Sequence, residues 1–151
     1  MFRAIVFLGL LTAARAGEPL NLLVNASASF SAAIIQQLAA VQSDPSPTDF
    51  AEKTIAYAKA KAAYFIALRV AMPELENIAT GKEPRPRELD QFATNFSVAG
   101  EKQEQAADEQ TLFLLKQLSF DPDVEKARAE FERAQKVEEQ FHEDFDGVDF
   151  T

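Results

Sequence analysis

Residues 121–145 read DPDVEKARAEFERAQKVEEQFHEDF. Asp121 is a helix N-cap type and Pro122 suits the first helical turn, where its missing N–H costs nothing. Val124, Ala127, Phe131, Ala134, Phe141 and Phe145 then recur at helical spacing, so one stripe of an otherwise charged helix is apolar. Glu138 is the single polar interruption of that stripe, and Gly147 ends it. A helix this polar on its outer face stands only against other helices.

The rest of the chain supplies them. A first helix runs from Pro19 or Leu20 to about Val41, with Leu22, Leu23, Ala26, Phe30, Ile34 and Leu38 inward. Pro45 and Pro47 forbid its continuation. Ser46 and Pro47 open a second, alanine-rich helix whose stripe is Phe50, Ile55, Ala58, Ala62, Phe65, Leu68 and Met72. Pro73 should kink or end it, with a further turn reaching Ile78 before Gly81. After the Lys82–Pro86 connection, a third helix is expected from Arg87 to Leu118, with Leu89, Phe92, Phe96, Ala99, Ala106, Phe113 and Leu114 inward. Its polar middle, Glu101 to Gln110 beside Gly100, is the weakest part. No segment alternates as a strand would. The expectation is all-α, an antiparallel up-down-up-down four-helix bundle.

Residues 1–16 read as a cleaved signal peptide: Arg3, the apolar run Ala4 to Leu11, and the small-x-small site Ala14-Arg15-Ala16. The run is far shorter than the ~20 residues of a membrane span. The bundle then occupies 17–146 and an acidic tail 147–151, in a periplasmic or secreted protein with no membrane insertion after cleavage. The chain carries 24 acidic and 15 basic residues; loss of Arg3 and Arg15 leaves 13 basic and a net charge of −11. Such a surface repels nucleic acid and anionic lipid and attracts a basic protein partner. A homodimer is also compatible with this surface. There is no cysteine, so packing alone must hold an exported domain together.

His142 is the only histidine. Neutral imidazole is the commonest protein ligand for transition metals, so metal chemistry here passes through His142 or avoids histidine. Glu139 and His142 share a helical face, but one such pair is only half of a di-iron carboxylate site. Thiol nucleophiles, multi-histidine zinc sites and glycine-rich phosphate loops are absent from the sequence, and Ser27, Ser29 and Ser31 lack the sharp turn of a nucleophile elbow. The expectation is a protein that is not an enzyme.

Phe141-His142-Glu143-Asp144-Phe145 resembles the end of the last helix in the cytochrome c′ and cytochrome b562 group, exported four-helix bundles that hold haem against that helix. Leu89, Phe92 and Phe96, after a proline-bearing loop, are similar to the start of that group's third helix. Glu138 and Phe141 stand where the haem-linking cysteines would be, and no methionine lies between Gly17 and Val41. The resemblance therefore implies non-covalent haem with His142 as metal ligand, for electron transfer to a redox partner or for small-gas binding. Met72 is then the candidate sixth ligand, or Leu22 and Leu23 wall an open distal side. Arg85, Arg87 and Lys82 are the candidate partners of the propionates. The alternative is a bundle that kept the fold without the cofactor and serves as an interaction or structural module.

Overall fold

The computed structural model describes residues 17–96 and 98–146, with side chains described for all of these but 98 and 99. The expected signal peptide at 1–16, the 147–151 tail and the side chain of Ala99 lie outside the described residues. Within them the protein is all-helical: α1 Glu18–Gln42, α2 Pro47–Ala79, α3 Glu88–Asn95, α4 Val98–Gln117 and α5 Pro122–Asp144.

The helix ends follow the cap chemistry of the sequence. Ser46 Oγ accepts from Asp49 N–H at 3.2 Å, and Asp121 Oδ1 accepts from Asp123 and Val124 N–H at 2.9 and 3.3 Å. Both caps precede a proline in the first turn. Gly81, at φ 78, turns the chain in the left-handed region after α2, where a side chain would be strained. Pro73 sits inside α2, which continues to Ala79. Its ring is exposed, so the interruption falls on the solvent side.

Helix directions follow from matched contacts. Gly17 meets Glu74 and Gln37 meets Thr54, so α1 and α2 are antiparallel. Tyr57 packs near Phe131 and Phe65 near Phe141, so α2 and α5 run parallel. Phe30 packs on Phe96 and Gln37 bonds Thr111, which lays α3 and α4 along α1 in the same direction. The extensive interfaces are α1 with α2, α2 with α5, and α1 with α3 and α4. By contrast, α4 and α5 barely touch. Arg128, donating to Leu115 O at 2.7 Å, ties them near their connecting turn.

The expected third helix is two helices. Phe96, at φ −133 and ψ 87, leaves the helical region after Asn95. The break places its ring on Phe30 at 5.5 Å and Tyr64 at 5.0 Å, while Asn95 Nδ2 donates to Val24 O and Ser27 Oγ. Restarting the helix shifts its inward face by about one residue. Glu104, Ala107, Thr111 and Leu115 are buried, Ala106 is only half-buried, and Phe113 is 60% exposed. On α1, Leu22 is likewise 53% exposed, and Leu20, Leu23, Ser27, Phe30, Ile34 and Gln37 face the core. On α2 the buried face is Thr54, Tyr57, Lys61 and Tyr64 together with Phe50, Phe65, Leu68 and Met72, while Ile55 and Ala62 are half-buried.

This shifted face has a direct check. Leu115→Ala is expected to cost about 2–5 kcal/mol in urea unfolding, as large-to-small core changes do. Phe113→Ala should stay within about 0.5 kcal/mol. The reverse order would restore an unbroken third helix.

Candidate functional site

Lys61 is the most buried charge in the structure, at 0% exposure. Its stem lies among the rings of Tyr57 and Phe131, with Nζ 5.6 and 6.0 Å from their centroids. An unpaired ammonium there would be prohibitively desolvated. Each of its three protons has an acceptor: Asp108 Oδ2 at 2.7 Å, Gln135 Oε1 at 2.6 Å and Glu138 Oε1 at 3.1 Å. Glu104 Oε1 is a further 3.6 Å contact. Tyr57 donates to the other Asp108 oxygen at 2.6 Å. One ammonium thus joins α2 to carboxylates of both α4 and α5.

The titration of this cluster follows from crowding. Burial alone would lower the Lys61 pKa, but Asp108, Glu104 and Glu138 together raise it above the ordinary lysine value. Burial, then a hydrogen bond with Glu138, pushes Glu104 up to about 9, so it is protonated at neutral pH. Burial also raises Asp108, against the pull of Lys61 and Tyr57. Burial first and the neighbouring carboxylates next raise both Tyr57 and Tyr64, which stay neutral phenols.

Glu104, Asp108 and Glu138 each bring an oxygen within 4.8 Å of the others, as ligands of a metal ion would. The Lys61 ammonium already sits among them, so a cation entering this trio must displace a charge held at 2.7–3.6 Å. The cluster is internally compensated rather than a ready metal site.

Beside it, along the loose α4–α5 seam, lies an open cavity of about 810 Å³. One side is apolar: Tyr64, Phe65 and Leu68 of α2, Leu89 and Phe92 of α3, then Phe96, and Phe141 of α5. The other side is acidic, with Glu101, Glu104, Asp108 and Glu109 of α4 and Glu138 of α5. Arg85 is the one arginine of the lining, and it is paired with Asp90 at 2.9 Å.

The six residues singled out in the sequence do not converge here. His142 does line the cavity, edge-on to Phe65 and Phe141 at 5.7 Å each. Its side chain is 65% exposed, and Nε2 stands 3.9 Å from Glu138 Oε2. Glu139, the expected i,i+3 partner, is exposed. Arg85 lines the cavity, whereas Arg87 borders a separate shallow surface groove with Glu88, Asp90, Gln91 and Thr94. Met72 and Leu23 are buried in the core outside the lining, and Leu22 faces solvent. Arg69 pairs with Asp144 at 2.7 Å, and the neutralising partner of Glu138 is Lys61 at 3.1 Å.

Haem does not fit this arrangement. Among the described residues neither Met72 nor a leucine wall from α1 reaches the cavity, its one arginine is engaged by Asp90, and the unpaired carboxylates Glu101 and Glu109 oppose a group with two propionates. No family model, curated protein or solved structure matches the chain.

Lys61 is hard to single out in the sequence because it sits in an alanine-rich stretch two positions from the exposed Lys59, and either lysine reads as a solvent-facing charge. The signal was present: Tyr57, Lys61 and Tyr64 fall at i, i+4 and i+7, on the same stripe as Thr54 and Leu68. A lysine there answers the Glu138 interruption on α5.

Two outcomes check this centre. Lys61→Met leaves buried carboxylates without their cation and is expected to cost about 3–5 kcal/mol, most of it recovered when Asp108→Asn and Glu138→Gln are added. The second concerns pH. The unfolded chain releases the Glu104 proton near the ordinary carboxylate value, and the folded protein keeps it up to about 9. Between those values the folded state binds more protons, so stability is greatest on the acid side and falls as pH rises. Asp108, also raised, acts with the same sign. Calorimetric melting points should therefore fall between roughly pH 6 and 9, and Glu104→Gln, neutral throughout, should flatten that decline.

Proposed function

We propose that this protein is an exported, cofactor-free binding module on a four-helix-bundle plan, and that the α4–α5 cleft receives an apolar ligand. In this reading α3 and α4 are the two halves of the third helical rod, and the rods alternate in direction along the chain. The observation that carries the function is the cleft itself: a cavity of about 810 Å³ with apolar core side chains at its base, left open where two helices fail to close on each other. Concave, largely apolar sites of this size are where small molecules bind.

Export is supported by the start of α1. By length and mean hydropathy (1.3) α1 resembles a membrane span, yet its buried face carries Ser27 and Gln37, and Gln37 Nε2 bridges Thr54 and Thr111 at 3.0 Å each. That pattern suits a helix packed along one face. Glu74 accepts from Gly17 N–H at 2.6 Å and Leu20 N–H at 3.2 Å, capping α1 from a neighbouring helix. Cleavage after Ala16 would turn the Gly17 N–H into an ammonium facing the same carboxylate. Protein recovered from outside the cytoplasmic membrane should therefore begin at Gly17 on terminal sequencing; a chain beginning at Met1 there would refute processing.

The cleft is tested with a neutral fluorescent probe, N-phenyl-1-naphthylamine. It should bind with one equivalent, and Phe92→Trp, which adds bulk to the wall, should weaken it at least tenfold. Haemin, in parallel, should give the same absorption with wild type and His142→Ala. A Soret shift that saturates at one equivalent and vanishes with His142 would replace this reading with haem.

A further inference from the structure

The charge distribution of the cleft says more than that it is apolar. Glu101 and Glu109 are exposed on its α4 side, and neither has an ion-pair or hydrogen-bond partner among the described residues. Behind them Lys61 is fully engaged by Asp108, Gln135 and Glu138, so it has no donor to offer a ligand. Arg85 is engaged by Asp90. The cleft therefore presents uncompensated negative charge, at Glu101 and Glu109, beside an apolar lining.

A metal ion would use only the carboxylates and leave the aromatic wall unfilled, and it meets the Lys61 ammonium already in place. A neutral apolar molecule would use only the wall. An anion is repelled. Resting on the binding reading above, we infer that the cleft selects organic monocations with an apolar body, the Phe65–Phe141 side taking the body and the Glu101–Glu109 side taking the charge.

The selectivity is measurable by calorimetric titration of the whole protein near neutral pH with three ligands of one chain length, each below its micelle concentration. These are decyltrimethylammonium, the neutral decyldimethylamine oxide and decyl sulfate. The cation should bind at one equivalent at least tenfold tighter than the amine oxide, with decyl sulfate weakest. The gap between the first two should shrink as salt rises, because the charges at the cleft mouth are exposed. The exposed double change Glu101→Gln with Glu109→Gln should bring the cation down to the affinity of the amine oxide. Equal binding of the cation and the amine oxide would overturn the inference while leaving the cleft as a binding site. Tighter binding of decyl sulfate would overturn it as well. No saturable binding of any of the three, or of the neutral probe, would remove the site altogether. A cation preference that survives the double change would also overturn it, since the charge would then be read elsewhere.

Discussion

An ammonium group without water needs an acceptor for each proton and negative charge close by, and Lys61 has both. Its Nζ is the point where α2, α4 and α5 are joined, through Asp108, Gln135 and Glu138. The same requirement fixes what α4 and α5 can present to each other. Where bundled helices would interdigitate apolar ridges, these two carry Glu104, Asp108 and Glu138. Acidic faces cannot close as a dry seam. They lean instead on a lysine from a third helix, and the space left beside them is the cleft. The polar centre thus explains both how the helices are held and why two of them stand apart. The aromatic residues at the base of the cleft, Phe92 and Phe141 among them, are packed into the core, so the open space lies over them and between the two polar helices.

The parts of this fold that were legible in the sequence are those governed by local chemistry. Ser46-Pro47 and Asp121-Pro122 begin helices because a side-chain oxygen and a missing N–H act within one turn. Gly81 ends α2 because the chain there enters the left-handed region. The stripe Val124, Ala127, Phe131, Ala134 and Phe141 is buried as its spacing requires, and Glu138 is inward too. What was not legible depends on tertiary competition. Nothing local says that Phe96 should give up its helix to stack on Phe30 and Tyr64, and that one event rotates everything from Glu101 to Leu115. Leu22 was assigned inward by hydrophobicity, but α1 buries Ser27 and Gln37 on its inner face instead, because hydrogen bonds to Asn95, Thr54 and Thr111 meet them there.

The likeness of residues 141–145 to a haem-holding helix illustrates how fold and function separate. A histidine at the right distance from the chain end is a weak signal, because the cofactor depends on what surrounds the ring. Here that surrounding is the edges of Phe65 and Phe141, Glu138 at 3.9 Å and, for most of the side chain, solvent. The helices that would supply a second ligand or a propionate clamp turn those residues elsewhere: Met72 into the core, Leu22 outward, Arg87 to a different groove. The acidic lining, unfavourable to haem, is the feature that gives the cleft a selectivity of its own.

The most direct measurement of this account is the protonation of Lys61 itself, followed by the 13Cε chemical shift of the lysines across a pH titration. The ammonium held by Asp108, Glu104 and Glu138 should stay charged past the midpoint of the surface lysines. A Lys61 midpoint well below theirs, toward neutrality, would mean that burial prevails over the three carboxylates, and the polar centre described above would not exist.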